Sequence, residues 1–434
     1  MNRRIALISE HASPLGRLGG VDSGGQNVYV AQTARRLAEA GHEVDVFTRL
    51  TSAELPQTVS LASGVRVIHL PAGPPVQVPK EQLLPYMDEF SDRMETYCRH
   101  GAGYDLLHAN FWMSGLAALR VKKRCGIPFV VTFHALGRVR RIHQGSADRF
   151  PEERFAIEAE LMRTADRIIA ECPQDQEDQV RLYGADPNLI RIVPCGFDSD
   201  ELWPVDKRQA RSVIGVGAAE RLVLHVGRMA PRKGIDNLIQ GFARLVRRHG
   251  VAARLLIVGG ETDDPDPVAT PEIGRLQQLA SDEGVAEHVI FTGRRGRQTL
   301  KYYYSAADAF VTTPWYEPFG ITPVEAMACG APVIGSDVGG VKYTVRDGRT
   351  GLLVPPRDPD ALSESLRQLL TRPKLAARFS RESIRRVNRF FTWQQVVGQI
   401  EAVYEEALAD RMAAPVSETL APASMPSAFS AAIQ

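Results

Sequence analysis

Short apolar runs alternate with helix-like segments along this chain, and near the middle the series starts again. That repetition constrains the fold more than any other feature. In the first half, residues 5–9, 44–48, 65–70, 106–109, 129–133 and 167–170 have the length and apolar content of buried strands. A helical pattern over 27–40 stops at Gly41-His42. Residues 194–206, with Pro194, Gly196 and Pro204, break the alternation and predict a connection between domains. Beyond it, residues 222–226, 255–258, 289–291, 309–311, 332–334 and 351–354 read as a second set of strands. Strands that alternate with helices pair in parallel and are covered on both faces. The chain of 434 residues is also too long for one ordinary core. The expected class is α/β, with one Rossmann-like domain over 1–203 and a second over 204–390. A helix at 391–412 would close the fold, and a tail at 413–434, rich in Ala, Pro and Ser, would be disordered. Two such sheets would face each other across a cleft, with ligands at the carboxyl ends of the strands.

Composition narrows the class of function. A net charge of +1 with 24% charged residues argues against a dedicated nucleic-acid binder. Five cysteines (Cys98, Cys125, Cys172, Cys195, Cys329) are scattered and never spaced as CxxC. This predicts neither a disulfide framework nor a structural zinc site, and fits a reducing cytoplasm. The apolar run near the basic N-terminus is too short for a signal peptide, and no segment reaches the ~18 apolar residues of a membrane helix. None of these features sets an oligomeric state.

Residues 315–330 carry the strongest local signal. Glu317 and Glu325 flank a Pro318-Phe319-Gly320 turn that leads into Ile321 and Thr322. Thr322 can serve as N-cap, with Pro323 first in the helix and Glu325 at its third position. The turn's backbone N–H groups, from Phe319 to Thr322, would then form an anion seat between two carboxylates. Thr322-Pro-Val-Glu325 also fits a simple capping box, in which Glu325 only satisfies the Thr322 backbone. A nucleotide sugar, with an anionic leaving group on a polyhydroxylated body, suits the first reading.

Further candidates lie at the ends of other strands. Arg228 ends the strand at 222–226, and Lys233 precedes a helix. A lysine there opposes the helix dipole, and a bound diphosphate would give it a reason. A solvated surface pair is the alternative. His134 follows the strand at 129–133, where it is either a substrate contact or a structural histidine. Gly19-Gly20 and Gly24-Gly25-Gln26-Asn27 form the loop after the first strand; it lacks GxGxxG, so nicotinamide binding is disfavoured. Lys80, Arg138, Arg140, Arg141 and Arg154 form a basic group that either lines the cleft or is solvated. Asp264-Pro-Asp266 matches the metal motif Asp-x-Asp, but its acidic, proline-rich surroundings read as a solvated loop. Neither a metal nor another cofactor is expected.

These motifs together resemble the retaining glycosyltransferases of the GT-B type, family 4 or group 1. Glu317-x7-Glu325 within Glu-Pro-Phe-Gly…Val-Glu-Ala-Met-Ala-Cys-Gly is similar to their donor-sugar motif, and Gly227-Arg-x4-Lys-Gly234 to their diphosphate clamp. The resemblance runs from Gly24-Gly-Gln to Phe391-Thr-Trp-Gln. It is nearest to bacterial sucrose-phosphate synthase-like enzymes, through Gly-Gly-Gln-x-Val-Tyr-Val and Pro79-Lys-Glu-Gln-Leu-Leu-Pro-Tyr86. The chain is also similar to the transferase that places N-acetylglucosamine on inositol phosphate. Phe111 and Ala135 replace hydroxyl-bearing residues of that enzyme, which weighs against its acceptor.

The resemblance implies a metal-independent hexosyltransferase using a nucleoside-diphosphate sugar, UDP-glucose first among donors, and a sugar or sugar-phosphate acceptor. The first domain would bind the acceptor and the second the nucleotide sugar. Arg228 and Lys233 would hold the diphosphate, Glu325 the ribose, Glu317 the sugar hydroxyls, His134 the donor sugar and Arg295 the base, with Arg294 as an equal neighbour. Gly25 would let the backbone approach the donor phosphates. Gln26, Lys80, Arg140, Arg141 and Arg154 would serve the acceptor. N-acetylglucosaminyl or mannosyl transfer to an inositol phosphate or glycan acceptor is the alternative within the class. A sugar-nucleotide epimerase or a non-catalytic binding protein is the alternative outside it; a phosphorylase would need a pyridoxal-binding lysine region that is not seen.

Overall fold

Two parallel sheets organise the molecule, seen in a computed structural model that describes residues 2–16, 24–101 and 103–413. The first sheet contains β1 (Arg4–Ile8), β2 (Glu43–Arg49), β3 (Thr58–Ala62), β4 (Val65–Leu70), β5 (Leu106–Asn110), β6 (Phe129–Thr132), β7 (Arg167–Ala170) and β8 (Ile190–Ile192). Its spatial order is β3-β4-β2-β1-β5-β6-β7-β8. The second sheet contains β9 (Leu222–Val226), β10 (Arg254–Val258), β11 (Val289–Gly293), β12 (Ala309–Thr312), β13 (Val333–Ser336) and β14 (Gly351–Val354), in the order β11-β10-β9-β12-β13-β14. Gly19-Gly20, and the tail from residue 414, lie outside the described residues.

The strand period of two explains how each sheet buries both faces. In β1, Ile5 and Leu7 join one core while Ala6 and Ile8 join the core on the opposite face. In β9, Leu222, Leu224 and Val226 point one way and Val223 the other. Fully apolar runs of this kind are what a doubly covered parallel sheet requires. Two strands were not foreseen. β3 pairs antiparallel with β4 at the sheet edge and is largely accessible, so it lacks an apolar run. β8 has only three residues, too few to show a pattern.

The helix Trp393–Ala413 follows the second sheet but packs on the first. Trp393 meets Tyr29 edge-on at 5.7 Å, and the Tyr404 hydroxyl lies 2.7 Å from His108 Nδ1. Ion pairs fix its outer side, Arg167 and Arg191 to Glu406 and Arg3 to Glu405. One apolar core therefore runs from Ile5 through Trp393 and Ile400 to Leu222 and Tyr304. Among the described residues, no helix is long and apolar enough to cross a membrane.

Candidate active site

In both sheets the order of strands reverses at one point, between β1 and β5 and between β9 and β12. The loops leaving these strands diverge there and open a crevice. The two crevices face each other and join in a cleft of about 320 Å³. Its walls come from the carboxyl ends of the strands: Gly24 to Val28 after β1, His134 after β6, Glu171 after β7, Arg228 after β9 and residues 316–322 after β12. At the floor the two domains nearly touch. A Cβ on Gly25 would stand 3.3 Å from Ile321 Cδ1, and one on Gly24 would stand 3.6 Å from the Arg228 side chain.

Residues 316–320 adopt a turn held by a second glycine pair. Gly340 N donates to Glu317 O at 2.9 Å, and side chains at Gly339 or Gly340 would overlap the Glu317 or Phe319 backbone. Gly320, at φ 86°, caps the helix Ile321–Ala328. The expected cap at Thr322 is therefore corrected: a left-handed glycine starts the helix two residues earlier. Glu325 makes no capping box either. Its carboxylate accepts from Arg297 Nη1 at 3.0 Å and from the Tyr304 hydroxyl at 2.9 Å. Arg297 in turn binds Glu201 of the interdomain connection at 2.7 Å. Gly340→Ala should cost about 1–3 kcal/mol through overpacking and weaken with it any anion seated at the turn, with UDP as the probe. Gly398→Ala is the control, because an added Cβ there meets nothing within 4 Å and removes a helix-interior glycine. Calorimetry with UDP titration of both variants checks this.

The cationic wall lies opposite the first-domain glycines. Gly234, at φ 66°, ends the short turn Pro231–Lys233 and turns Lys233 into the cleft. Lys233 Nζ is ion-paired with Glu317, and Arg232 Nη1 stands 3.5 Å from the same carboxylate oxygen. Burial pushes Glu317 up, but Lys233, Arg232 and Arg228 outweigh it and hold the carboxyl down at about 2. Burial and the two arginines bring Lys233 down to about 8, against the pull of Glu317. The cleft thus gathers three cations around one carboxylate, an excess of positive charge suited to a polyanion.

That lysine gives a pH dependence with a definite sign. Lys233, paired with Glu317, loses its proton as pH rises through about 8. An anion seated there, with UDP as the probe, should therefore bind with its full strength at pH 7 and about tenfold more weakly at pH 9, a loss of one charge from the site. Calorimetric titration measures it, and Lys233→Met should bind weakly with no such fall.

On the first-domain wall, Gln26 Nε2 donates to Ser9 Oγ and to the Asn110 carbonyl, which fixes it at the start of the helix Gly25–Glu39. His134 has a left-handed backbone, φ 57°, as does Phe111 at φ 88°. Two non-glycine residues in that region at the ends of β6 and β5 are a strain concentrated at the site. Lys80 and Arg140 also line the cleft, and Arg140 is held by Asp148 at 3.0 Å.

Three members of the basic group lie elsewhere; Arg138 donates to the Leu182 carbonyl and stacks on Tyr183 at 5.0 Å. Arg154 is fully buried, binds Glu158 at 2.7 Å and stacks on Phe150 and Phe111 at 4.5 and 5.0 Å. Its charge is spent behind the wall, because burial of a guanidinium needs a carboxylate partner. Arg141 pairs with Glu152 at 2.5 Å and does not line the cleft.

Arg294 and Arg295 both reach the cleft; Arg295 Nε donates to the Tyr303 hydroxyl at 2.9 Å, while Arg294 binds Asp263. In the Asp264-Pro-Asp266 segment, Asp266 accepts from Val268 N and Ala269 N and so closes its own turn. Among the described residues, no three His, Cys, Asp or Glu side chains are grouped to hold a metal.

Several lining residues escaped sequence reasoning: His11, Glu171, Cys195, Arg232, Gly259, Arg297 and Tyr316. Glu171 was findable, since it follows β7 as His134 follows β6. Tyr316 bridges the domains, stacked on His143 at 4.9 Å and bonded to Gln144.

Two facing parallel-sheet domains with a cleft at their switch points define a glycosyltransferase of the GT-B class. Residues 206–386 match the family described as glycosyl transferases group 1, and residues 23–201 match glycosyltransferase family 4. The chain belongs to this glycosyltransferase family. It is 37% identical over 411 residues to D-inositol 3-phosphate glycosyltransferase 2 of Catenulispora acidiphila, covering 94% of this chain and 96% of that one. It is 38% identical over 419 residues to the D-inositol 3-phosphate glycosyltransferase of Acidothermus cellulolyticus, covering 95% and 92%. Among solved structures, sucrose-phosphate synthase of Thermosynechococcus elongatus superposes with a TM-score of 0.87 at 34% identity, over 94% of this chain and all of that one.

Proposed function

We propose that this protein is a retaining hexosyltransferase that moves glucose from UDP-glucose to a sugar phosphate, as a sucrose-phosphate synthase does. One observation carries the reading: the cleft has two separate cationic stations. Arg228 and Lys233 on the second domain suit the donor diphosphate, and Lys80 and Arg140 on the first suit a phosphate on the acceptor. The names of the relatives, inositol 3-phosphate glycosyltransferase and sucrose-phosphate synthase, both include a phosphate, in keeping with the second station. Phe111 and Ala135 line the same wall where the resembling inositol-phosphate enzyme carries hydroxyls, which weighs against that acceptor. Transfer to inositol phosphate is the second reading, favoured by identity of 37–38% over more than nine-tenths of the chain.

In the proposed reaction the turn N–H groups of Phe319 to Thr322, with Arg228 and Lys233, stabilise charge growing on the departing diphosphate. This positive charge comes from the chain itself, so the step needs no metal. Glu325, oriented by Arg297 and Tyr304, takes the ribose hydroxyls, and Arg295 lies toward the base. Glu317 holds sugar hydroxyls and stabilises the oxocarbenium-like centre. The acceptor oxygen attacks C1 from the face the phosphate leaves; the C1–O bond to phosphate breaks, and a phosphate oxygen takes the acceptor proton. Closure of the domains excludes water and limits donor hydrolysis.

The test is nucleoside-diphosphate release with UDP-, ADP- and GDP-sugars, alone and with fructose 6-phosphate, inositol phosphate or unphosphorylated sugars, with and without EDTA. Release requiring UDP-glucose and fructose 6-phosphate, unchanged by EDTA, is expected. Release with inositol phosphate alone selects the second reading. Donor-sugar interconversion with no acceptor would show an epimerase and sink both.

A further inference from the structure

The wall behind His134 holds a side-chain cluster that the proposed reaction does not use. Glu171, at the end of β7, is buried, its side chain 5% exposed. A carboxylate there needs partners for its charge. It has two: His134 Nδ1 at 3.1 Å, and the Cys195 thiol, which donates to the same Oε1 at 3.0 Å. Its backbone is fixed as well, since Glu171 N donates to Asp175 Oδ2 at 2.9 Å.

The rest of the His134 ring is equally constrained. Its Nε2 lies 3.1 Å from Asn110 Oδ1, and the Asn110 amide is turned that way because its Nδ2 donates to the His108 carbonyl. The Tyr29 ring meets it edge-on at 4.8 Å. Both ring nitrogens thus face oxygen acceptors, and the left-handed backbone at φ 57° removes the freedom to swing away. A carboxylate on one ring nitrogen fixes the proton there and sets the ring's direction, as it does for histidines in metal and nucleophile sites.

We propose that Glu171 is a positioning residue: it fixes the His134 ring through Nδ1–H, so that Nε2 addresses the cleft. With the proton held on Nδ1, Nε2 turns only a lone pair toward Asn110 Oδ1, itself an acceptor, and a donor-sugar hydroxyl that donates to Nε2 relieves that pairing. Cys195 steadies the carboxylate through its thiol, which donates to the same oxygen. The inference rests on His134 contacting the donor sugar.

Glu171→Ala and Glu171→Gln are compared in the full chain, with His134→Ala as reference. The readouts are kcat, donor KM, UDP affinity and nitrogen-15 NMR of the His134 ring. Glu171→Ala is expected to lower kcat about ten- to a hundredfold through misplacement of the ring. Donor KM and UDP affinity should move by less than about threefold, because the loss falls on the transition state. The Nδ1–H form of His134 should give way to a mixture of tautomers. Glu171→Gln, whose amide oxygen still accepts, should keep the Nδ1–H form and recover kcat to within about fivefold. Wild-type kcat in Glu171→Ala, or an unchanged ring signal, overturns the proposal. If Glu171→Ala does not fold, Glu171→Asp withdraws the carboxylate by one methylene and should show the same two losses. Wild-type turnover in His134→Ala overturns the reading of His134 instead, and the ring signal still reports whether Glu171 holds it.

Discussion

Lys233→Met should lower turnover by about a hundred- to a thousandfold, the usual cost of removing one preorganised charge from a leaving group. The size follows from where the lysine sits. Its side chain is mostly buried, 17% exposed, so its field reaches a bound diphosphate through little water. Methionine keeps the length and apolar stem, so the turn Pro231–Lys233 retains its packing. Glu317 keeps a cation at 3.5 Å in Arg232, which spares the fold. Steady-state diphosphate release measures the effect. A loss below about threefold would remove Lys233 from the clamp and leave it a structural partner of Glu317.

Glu317→Ala should cut turnover by about a hundredfold and leave UDP affinity unchanged or improved. The asymmetry comes from the pairing of Glu317 with Lys233 and Arg232. With the carboxylate gone, both cations are released to the diphosphate. The sugar loses its hydroxyl contact, and the developing positive centre loses its counter-charge. Glu317→Gln should fall between, since an amide binds hydroxyls without the charge. Parallel loss of turnover and UDP affinity in Glu317→Ala would contradict this role. The carboxyl is held at about 2, so its share of stability is present above the ordinary carboxylate range and is lost as pH falls through 2. The alanine variant should therefore show a smaller stability loss than wild type between pH 5 and pH 2.

The apolar runs of β1, β2 and β9 were legible because a doubly covered strand must be apolar throughout. An accessible edge such as β3 has no such requirement, and it was missed for that reason. At the site, Arg228, Lys233 and Glu317 were named through motifs that resemble a family's, and the structure brings all three to one cleft. Arg154 could not be placed, because a charge facing the cleft and one facing a buried glutamate look alike in sequence. Glu158 stands four residues on, which is helical spacing for a pair, and offered the one hint. Thr322 misled because it sits within reach of a helix start, while Gly320, able to take the left-handed turn, stood two residues before it. Asn110 and Cys195 reach His134 and Glu171 only through the stacking of β5 to β8, which no local pattern encodes.

The chain passes between the domains twice, once outward in residues 194–206 and once back at 391–393. The two passages are bonded side by side: Phe197 N donates to Phe391 O at 2.8 Å and Trp393 N to Phe197 O at 3.2 Å. Gly196 lies against them, where a Cβ would press on the Trp393 ring at 2.9 Å. Two passages joined by this parallel bridge behave as the pin of a door. They leave swing about one axis and resist sliding and twisting, so opening and closing of the cleft should retrace one path. The cleft faces, Gly25 and Ile321, would then meet in the same register at every turnover, with no search for alignment. A fragment that stops at residue 390 would keep all fourteen strands and lose the pin.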